Sequence, residues 1–366
     1  MIKNAYIHIP FCSKICSYCD FCKMYYNKEL VDKYLNELEK EIDLLYKNEV
    51  LETIYIGGGT PSCLSIEQLD KLFKIIEKLK KSKNIEYTIE GNIDSTSLEK
   101  LKLYKKYGIN RLSFGVETTN SKQFSFLNRK ISLEDTKKII DIARKLEFNN
   151  INLDLMYALP DETMKDLEKD LDFLISLNVE HISTYSLIIE EHTMLYNQKI
   201  KNIKEDIDAK MYEYICKTLN KNNYIHYEIS NFAKEGYNSK HNTCYWNNKN
   251  YYGFGLGAAS YIKNKRINNT RNIKAYLNGK YLKEEETISD EDKIDYEIIL
   301  NLRKKDGINL KEFKNKFHKS LRKIYDYEYL VENNFIQEKN NHLFIPEDKW
   351  YISNEIITKI MEKKNE

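Results

Sequence analysis

The feature that most constrains this chain is an alternation. Strand-like runs rich in β-branched and aromatic residues fall at 5–9, 53–56, 86–89, 111–116, 151–156 and 181–187. Longer stretches with apolar residues at helical spacing run between them, at 28–46, 66–81, 97–107, 121–127, 133–146 and 165–177. Six such βα units in a row predict an α/β fold whose parallel sheet curls into a partial (β/α)6 barrel. In barrels of this kind chemistry collects on the loops at the carboxyl ends of the strands.

The loop after the first run is the stretch CSKICSYCDFC, Cys12 to Cys22, which holds four of the seven cysteines with gaps of three, two and two residues. That density reads as metal chemistry. Thiolates at Cys12, Cys16 and Cys19 can ligate three irons of a 4Fe-4S cube and leave the fourth open. A disulfide framework, a zinc site and an electron-transfer cluster that takes Cys22 as fourth ligand are the competing readings. For Cys22 the preferred reading is a packed thiol beside the loop.

The remaining strand ends carry GGGTPS at 57–62, then Glu90 and Asn92, then Glu117, then Asp154 and Tyr157. Successive glycines let a backbone pass close to a ligand and turn its polar groups towards it; a bare glycine turn is the plainer account. A lone acid can be a cap or a surface charge. Asp154, however, sits in the apolar run INLDLMYALP and must find a partner or face a cavity. Arg129, in LNRK after a short helix, can supply a cation to the same mouth.

With 366 residues the chain can bury one large core and leave room for a smaller domain. Lys and Arg number 58 against 56 Asp and Glu, interspersed, which is not the basic footprint of a nucleic-acid binder. No apolar run approaches the length of a membrane span. A strand signal from residue 5 leads us to expect no targeting peptide and a cytoplasmic protein with reduced thiols.

The segments YIHIPFCSKICSYCDF, YIGGGTPS, GINRLSFGVE, NINLDLMYALP and HISTYSL resemble the radical S-adenosylmethionine (SAM) superfamily. Within it the chain is similar to the family that holds HemW-type haem chaperones and oxygen-independent coproporphyrinogen III oxidase. The resemblance implies a radical-SAM barrel in which Cys12, Cys16 and Cys19 are the cluster ligands and SAM chelates the open iron. It implies that Tyr6 lies beside SAM, that Gly58, Gly59 and Thr60 meet its methionine end, and that Glu90, Arg129 and Asp154 contact the rest. Glu117 stands among the cofactor positions where the relatives carry Gln, and while ionised it can accept but not donate. Ala158 replaces a usual Gly, and Gly91-Asn92-Ile93 replaces Ala-Asn-Pro.

The second half bears on the branch. YEISNFA, HNTCYW and GLGA are similar to the chaperone subgroup, which makes His241 the candidate axial haem ligand or propionate contact, with Tyr245 and Trp246 as flat apolar faces. The alternative is a histidine that hydrogen-bonds across a loop beside two core aromatics. Ala259 occupies a place where histidine is usual. The oxidase relatives also carry an N-terminal extension before the first strand and a cysteine two residues after the third ligand, where this chain has Asp20-Phe21.

From about residue 290, helical patterns at 291–302, 310–317 and 321–333 precede FIQEKNNHLFIP, a hairpin signal with Asn340-Asn341 as its turn. That order resembles a winged helix, here expected to act as a lid or docking surface. We therefore expect a core barrel over 1–200, a connecting region over 201–285 and a winged-helix-like α+β accessory region over 286–366. Two functions follow from the resemblance. In one, the chain holds a 4Fe-4S cluster, SAM and haem, draws on an electron donor and passes haem to a receiving protein. In the other, it is a radical decarboxylase of a porphyrinogen.

Overall fold

A computed structural model gives the fold and describes residues 1–130 and 132–364. Six parallel strands form its centre: β1 (Asn4–Ile9), β2 (Leu51–Gly58), β3 (Lys81–Asn92), β4 (Arg111–Glu117), β5 (Ile151–Tyr157) and β6 (His181–Ser186). They pair in sequence order, and the helices α1 (Lys28–Leu45), α2 (Ile66–Ile76), α3 (Leu98–Lys106), α4 (Ser121–Phe126), α5 (Leu133–Lys145) and α6 (Met164–Ser176) return the chain between them. This is the α/β partial barrel expected from the alternation.

Three strands from later in the chain extend the sheet. On the β6 side, β7 (Ile225–Glu228) and β8 (Asn231–Ala233) add an antiparallel hairpin; on the β1 side, β9 (Tyr252–Phe254) adds a seventh parallel strand. Among the described residues β9 and β7 are the two edges, so the barrel stays open. A second sheet, β10 (Ala259–Ile262), β11 (Lys265–Asn269) and β12 (Leu282–Thr287), follows.

The two faces of the barrel differ sharply. Ala5, Ile7 and Ile9, Ile54 and Ile56, Leu112, Phe114 and Val116, and Leu153 and Leu155 are buried in the main core. The alternate positions are polar and bond to their neighbours on adjacent strands, as in Asn4 with Thr53 (3.0 Å), Asn152 with Ser113 (2.9 Å) and Ser183 with Asn152 (3.0 Å). A strand has a side-chain period of two, so one face can pack on helices while the other builds a polar interior.

Helix α2 starts at a capping box, Ser65 with Gln68, and buries Leu69, Leu72, Phe73, Ile75 and Ile76. It ends at Ile76, short of the 81 expected from the sequence, because the polar residues from Lys81 pair with Leu51 and lengthen β3. Here long-range strand pairing overrides local helical propensity.

After α7 (Glu205–Lys221), the short helix α8 (Lys240–Trp246) lies across the amino ends of the strands. Its first N–H groups, on Lys240 and His241, donate to Glu86 at 3.0 and 2.9 Å, so a buried acid complements the helix N-terminus. The C-terminal region is built from α9 (Asp290–Asn301), β13 (Ile308–Asn309), α10 (Leu310–Phe317), α11 (Glu328–Glu332), β14 (Gln337–Lys339), β15 (His342–Phe344) and α12 (Ser353–Met361). β13, β15 and β14 form an antiparallel sheet, and Asn340 and Asn341, with φ of 51° and 64°, make its turn. The expected α+β accessory region is present.

Candidate cofactor site

At the carboxyl ends of the strands lies a cavity of about 290 Å³, at the small end of ligand sites (roughly 300–1,000 Å³). Cys12, Cys16, Cys19, Gly58, Gly59, Thr60, Glu90, Glu117, Arg129 and Asp154 all line it. Tyr6 and His241, also expected at cofactors, do not. The structure therefore brings the cysteine loop, the glycine strip and the acids together from separate βα units.

The glycine strip is held by the protein's own groups. A Cβ on Gly57 would meet the Glu90 carboxylate at 2.6 Å, one on Gly58 (φ 111°) would run into the His8 ring, and one on Gly59 would meet the Phe11 carbonyl at 2.7 Å. Gly59 and Thr60 donate to the carbonyls of Ile9 and Phe11, both at 2.8 Å, so the strip runs flush against the entry to the cysteine loop. The Gly58 N–H and the Tyr55 hydroxyl both donate to Glu90, at 2.9 and 2.6 Å. Burial raises the Glu90 carboxyl, and these two donors pull it back.

Arg129 knits the ends of β3 and β4 to the cysteine loop. Its guanidinium donates to the Gly115 carbonyl at 2.7 Å and to Asn92 at 3.1 Å, and lies 3.2 Å from Glu117. It also reaches the Cys16 thiol at 3.6 Å and the Tyr18 hydroxyl at 3.4 Å. Glu117 occupies the left-handed region (φ 67°) at a bulge where β4 shifts register against β5. Burial pushes its carboxyl up to about 7 against the pull of Arg129, and the guanidinium keeps its charge. Asp154 is raised by burial, while Asn152, donating at 2.7 Å, opposes this.

The donor set fits a cluster and a ligand that carries both charges. Cys12, Cys16 and Cys19 face one cavity; Thr60 lies 3.6 Å from the Cys12 sulfur and Arg129 the same distance from that of Cys16, placed to bond thiolates. Burial pushes Cys12 up to about 11, and a metal bound beside it would hold it as the thiolate. Cys22 is outside the cavity, where its Sγ would lie 3.0 Å from a Cβ on Gly257. Three acids, Glu90, Glu117 and Asp154, and three cations, Arg129, Lys14 and Lys23, line the cavity, which suits a ligand that carries both charges.

Two expected residues have other surroundings. His8 Nε2 donates to the Cys22 carbonyl at 2.7 Å, which leaves Nδ1 of the neutral ring to accept from the Tyr6 hydroxyl at 2.9 Å, so the pair braces the cysteine loop. His241 is 1% exposed; Nδ1 bonds the Thr53 hydroxyl and Nε2 the Tyr245 hydroxyl, each at 2.7 Å. Burial lowers it to about 3, so it is neutral, and with both nitrogens engaged it has none free for an iron. His8, packed against Gly58, and Tyr55, bonded to Glu90, support the cavity's lining and lie outside the strand-end reading. Their signal was the alternation of polar and apolar residues in NAYIHI and TIYI.

Residues 6–174 match the Radical SAM superfamily, and residues 288–348 match the HemN C-terminal domain. The chain is 40% identical to the heme chaperone HemW of Bacillus subtilis, over 97% of this chain and 98% of that protein. It is 37% identical to the HemW of Lactococcus lactis, over 98% and 97%, and 32% identical to that of Escherichia coli, over 81% of each. Among solved structures it is similar to the coproporphyrinogen III oxidase HemN of Escherichia coli, with a TM-score of 0.85, 20% identity, and coverage of 98% of this chain and 90% of that one. That likeness concerns the fold. Among the described residues no helix is long and apolar enough to cross a membrane.

Proposed function

The chain belongs to the HemW family of the radical SAM superfamily, and from that premise we propose that it is a cytoplasmic haem chaperone with a 4Fe-4S cluster on Cys12, Cys16 and Cys19 and a SAM site above the glycine strip. The observation that carries this reading is the near full-length similarity to HemW proteins. A cluster held by Cys12, Cys16 and Cys19 would supply one-electron redox chemistry at this site, and in a chaperone the cluster and SAM would serve structural or regulatory roles. The chain's own residues do the rest. Gly58, Gly59 and Thr60 give a flat backbone edge, Glu90 and Asp154 receive donors, and Arg129 holds the loops that close the cavity.

Haem is assigned to the mouth rather than to His241. Phe21 (66% exposed) and Tyr185 (41% exposed) stand there beside Lys14 and Lys23, a pairing of ring faces and cations that suits a flat macrocycle with carboxylate side chains. From this mouth, haem would pass to a receiving protein, with an external electron donor serving the cluster.

The test offers haem and coproporphyrinogen III in parallel to anaerobically reconstituted protein. Stable haem uptake, transfer to an apo-haem protein and no loss of CO2 from the porphyrinogen are expected. Decarboxylation with consumption of SAM would overturn the reading in favour of an oxidase.

A further inference from the structure

Beneath the cavity the lumen holds a stack of rings that the cofactor reading leaves without a task. Tyr55 lies on the His241 ring, with centroids 5.1 Å apart and planes at 26°. Tyr245 meets the other edge of that imidazole at 5.0 Å and 86°, and Tyr251 meets Tyr245 at 4.6 Å and 84°. The base of the stack is fixed: Glu86 accepts from the first N–H groups of α8, and Thr53 bonds His241 Nδ1. Its top is a single hydroxyl, that of Tyr55, donating to Glu90 at 2.6 Å. The other Glu90 oxygen is taken by the Gly58 N–H at 2.9 Å, and only the absence of a Cβ on Gly57 leaves room for the carboxylate.

A carboxylate on a flexible stem is a poor ligand group unless its rotamer is fixed before binding, because freezing it then costs entropy. Glu90 is fixed from two sides, and one of the two is a phenol whose own ring is set by α8. We propose that Tyr55 is a positioning residue for SAM, and that the HNTCYW segment is a floor plug which tunes the cofactor site through the stack His241, Tyr55, Glu90. This inference rests on the reading of the cavity as a SAM site. It gives the segment a task within the cofactor site, and it makes the two ends of the barrel interdependent: a change at α8 is read at Gly58.

The experiment measures equilibrium binding of labelled SAM to reconstituted wild type, Y55F, E90Q, Y55F/E90Q, H241A and T53V, with iron content and the haem absorption spectrum recorded for each. Y55F keeps the ring and removes only the hydroxyl, and should weaken SAM binding about tenfold at unchanged iron content. In the E90Q background it should add less than twofold, because its effect passes through Glu90; a packing defect would add in full. H241A should weaken SAM binding and keep the haem spectrum. Should H241A fail to fold, T53V, which removes the Nδ1 partner at nearly constant shape, makes the same comparison. SAM affinity unchanged in Y55F, or tenfold effects that simply add in Y55F/E90Q, would overturn the proposal, as would H241A or T53V with lost haem absorption and intact SAM binding. Wild type that binds no SAM would instead overturn the SAM reading itself.

Discussion

Replacement of Arg129 by Met probes the electrostatics of the cavity most directly. Arg129 and Glu117 lie 3.2 Å apart with side chains 9% exposed, and removal of one partner from such a buried pair costs about 3–5 kcal/mol. Glu117 has a way to reduce that cost, because its carboxyl already titrates at about 7 and can take up a proton. Burial has raised it above its unfolded value, so ionising it costs stability as pH rises through about 7. Without Arg129 the folded value climbs further and the cost extends to higher pH. From pH 7 to about 8.5 the added penalty is ~2 kcal/mol, at about 1.36 kcal/mol per pH unit. Near pH 6 the carboxyl is protonated with or without its partner. There the loss is confined to the hydrogen bonds to Gly115 and Asn92 and the longer contacts with Tyr18 and Cys16, about 1–3 kcal/mol. Urea unfolding of cluster-free wild type, R129M, E117Q and the double variant at the two pH values measures this. R129M should lose ~2 kcal/mol more at the higher pH, and E117Q should abolish the difference. A penalty independent of pH, or one untouched by E117Q, would refute the reasoning.

Cys22 packs outside the cavity, so C22S should keep the iron content and SAM binding of wild type, whereas C12S, C16S and C19S should each lose the cluster; iron and sulfide analysis checks both. Glu41, fully buried, accepts from Tyr276 and Asn269 at 2.6 Å and from Gly255 at 2.8 Å, and burial raises it to about 6 despite these donors. The raised value makes its ionisation cost stability as pH rises from the unfolded range through about 6. E41Q should therefore flatten the stability profile across that window while costing about 1–3 kcal/mol at neutral pH through donors left unpaired, as chemical denaturation will read.

The alternation of strands and helices was legible because each unit carries its own period, and the cysteine loop was legible because its ligands are contiguous. The Cβ-free cradle at Gly57 to Gly59 was only half legible. The triplet announced a close approach, but the groups that approach are Glu90, His8 and the backbone at Phe11, which come from other units. Strand β9 escaped notice since YGF is too short to show a period and is defined by its partner β1. The early end of α2 was hidden for the same reason, as Lys81 becomes a strand residue only opposite Leu51.

His241 shows where such reading runs out, and the alternation shows how it could have gone further. A histidine in a polar segment near two aromatics reads the same whether it faces solvent, haem or the inside of a barrel, because the segment holds no period to orient it. The strands do hold one. In NAYIHI the polar residues are Asn4, Tyr6 and His8, in RLSFGV they are Arg111 and Ser113, and in INLDLM they are Asn152 and Asp154. Strands clad by helices on the outside and still polar at every second residue must enclose a polar lumen, since a buried polar face has to be satisfied by partners across it. A lumen of that kind needs a floor at its amino end, where Glu86 and Thr53 would otherwise meet water. The segment that brings helix N–H groups to Glu86 and a neutral imidazole to Thr53 is HNTCYW. Its similarity to the chaperone subgroup and its burial are then parts of one requirement, a floor on which the acids that line the cavity can be held in place.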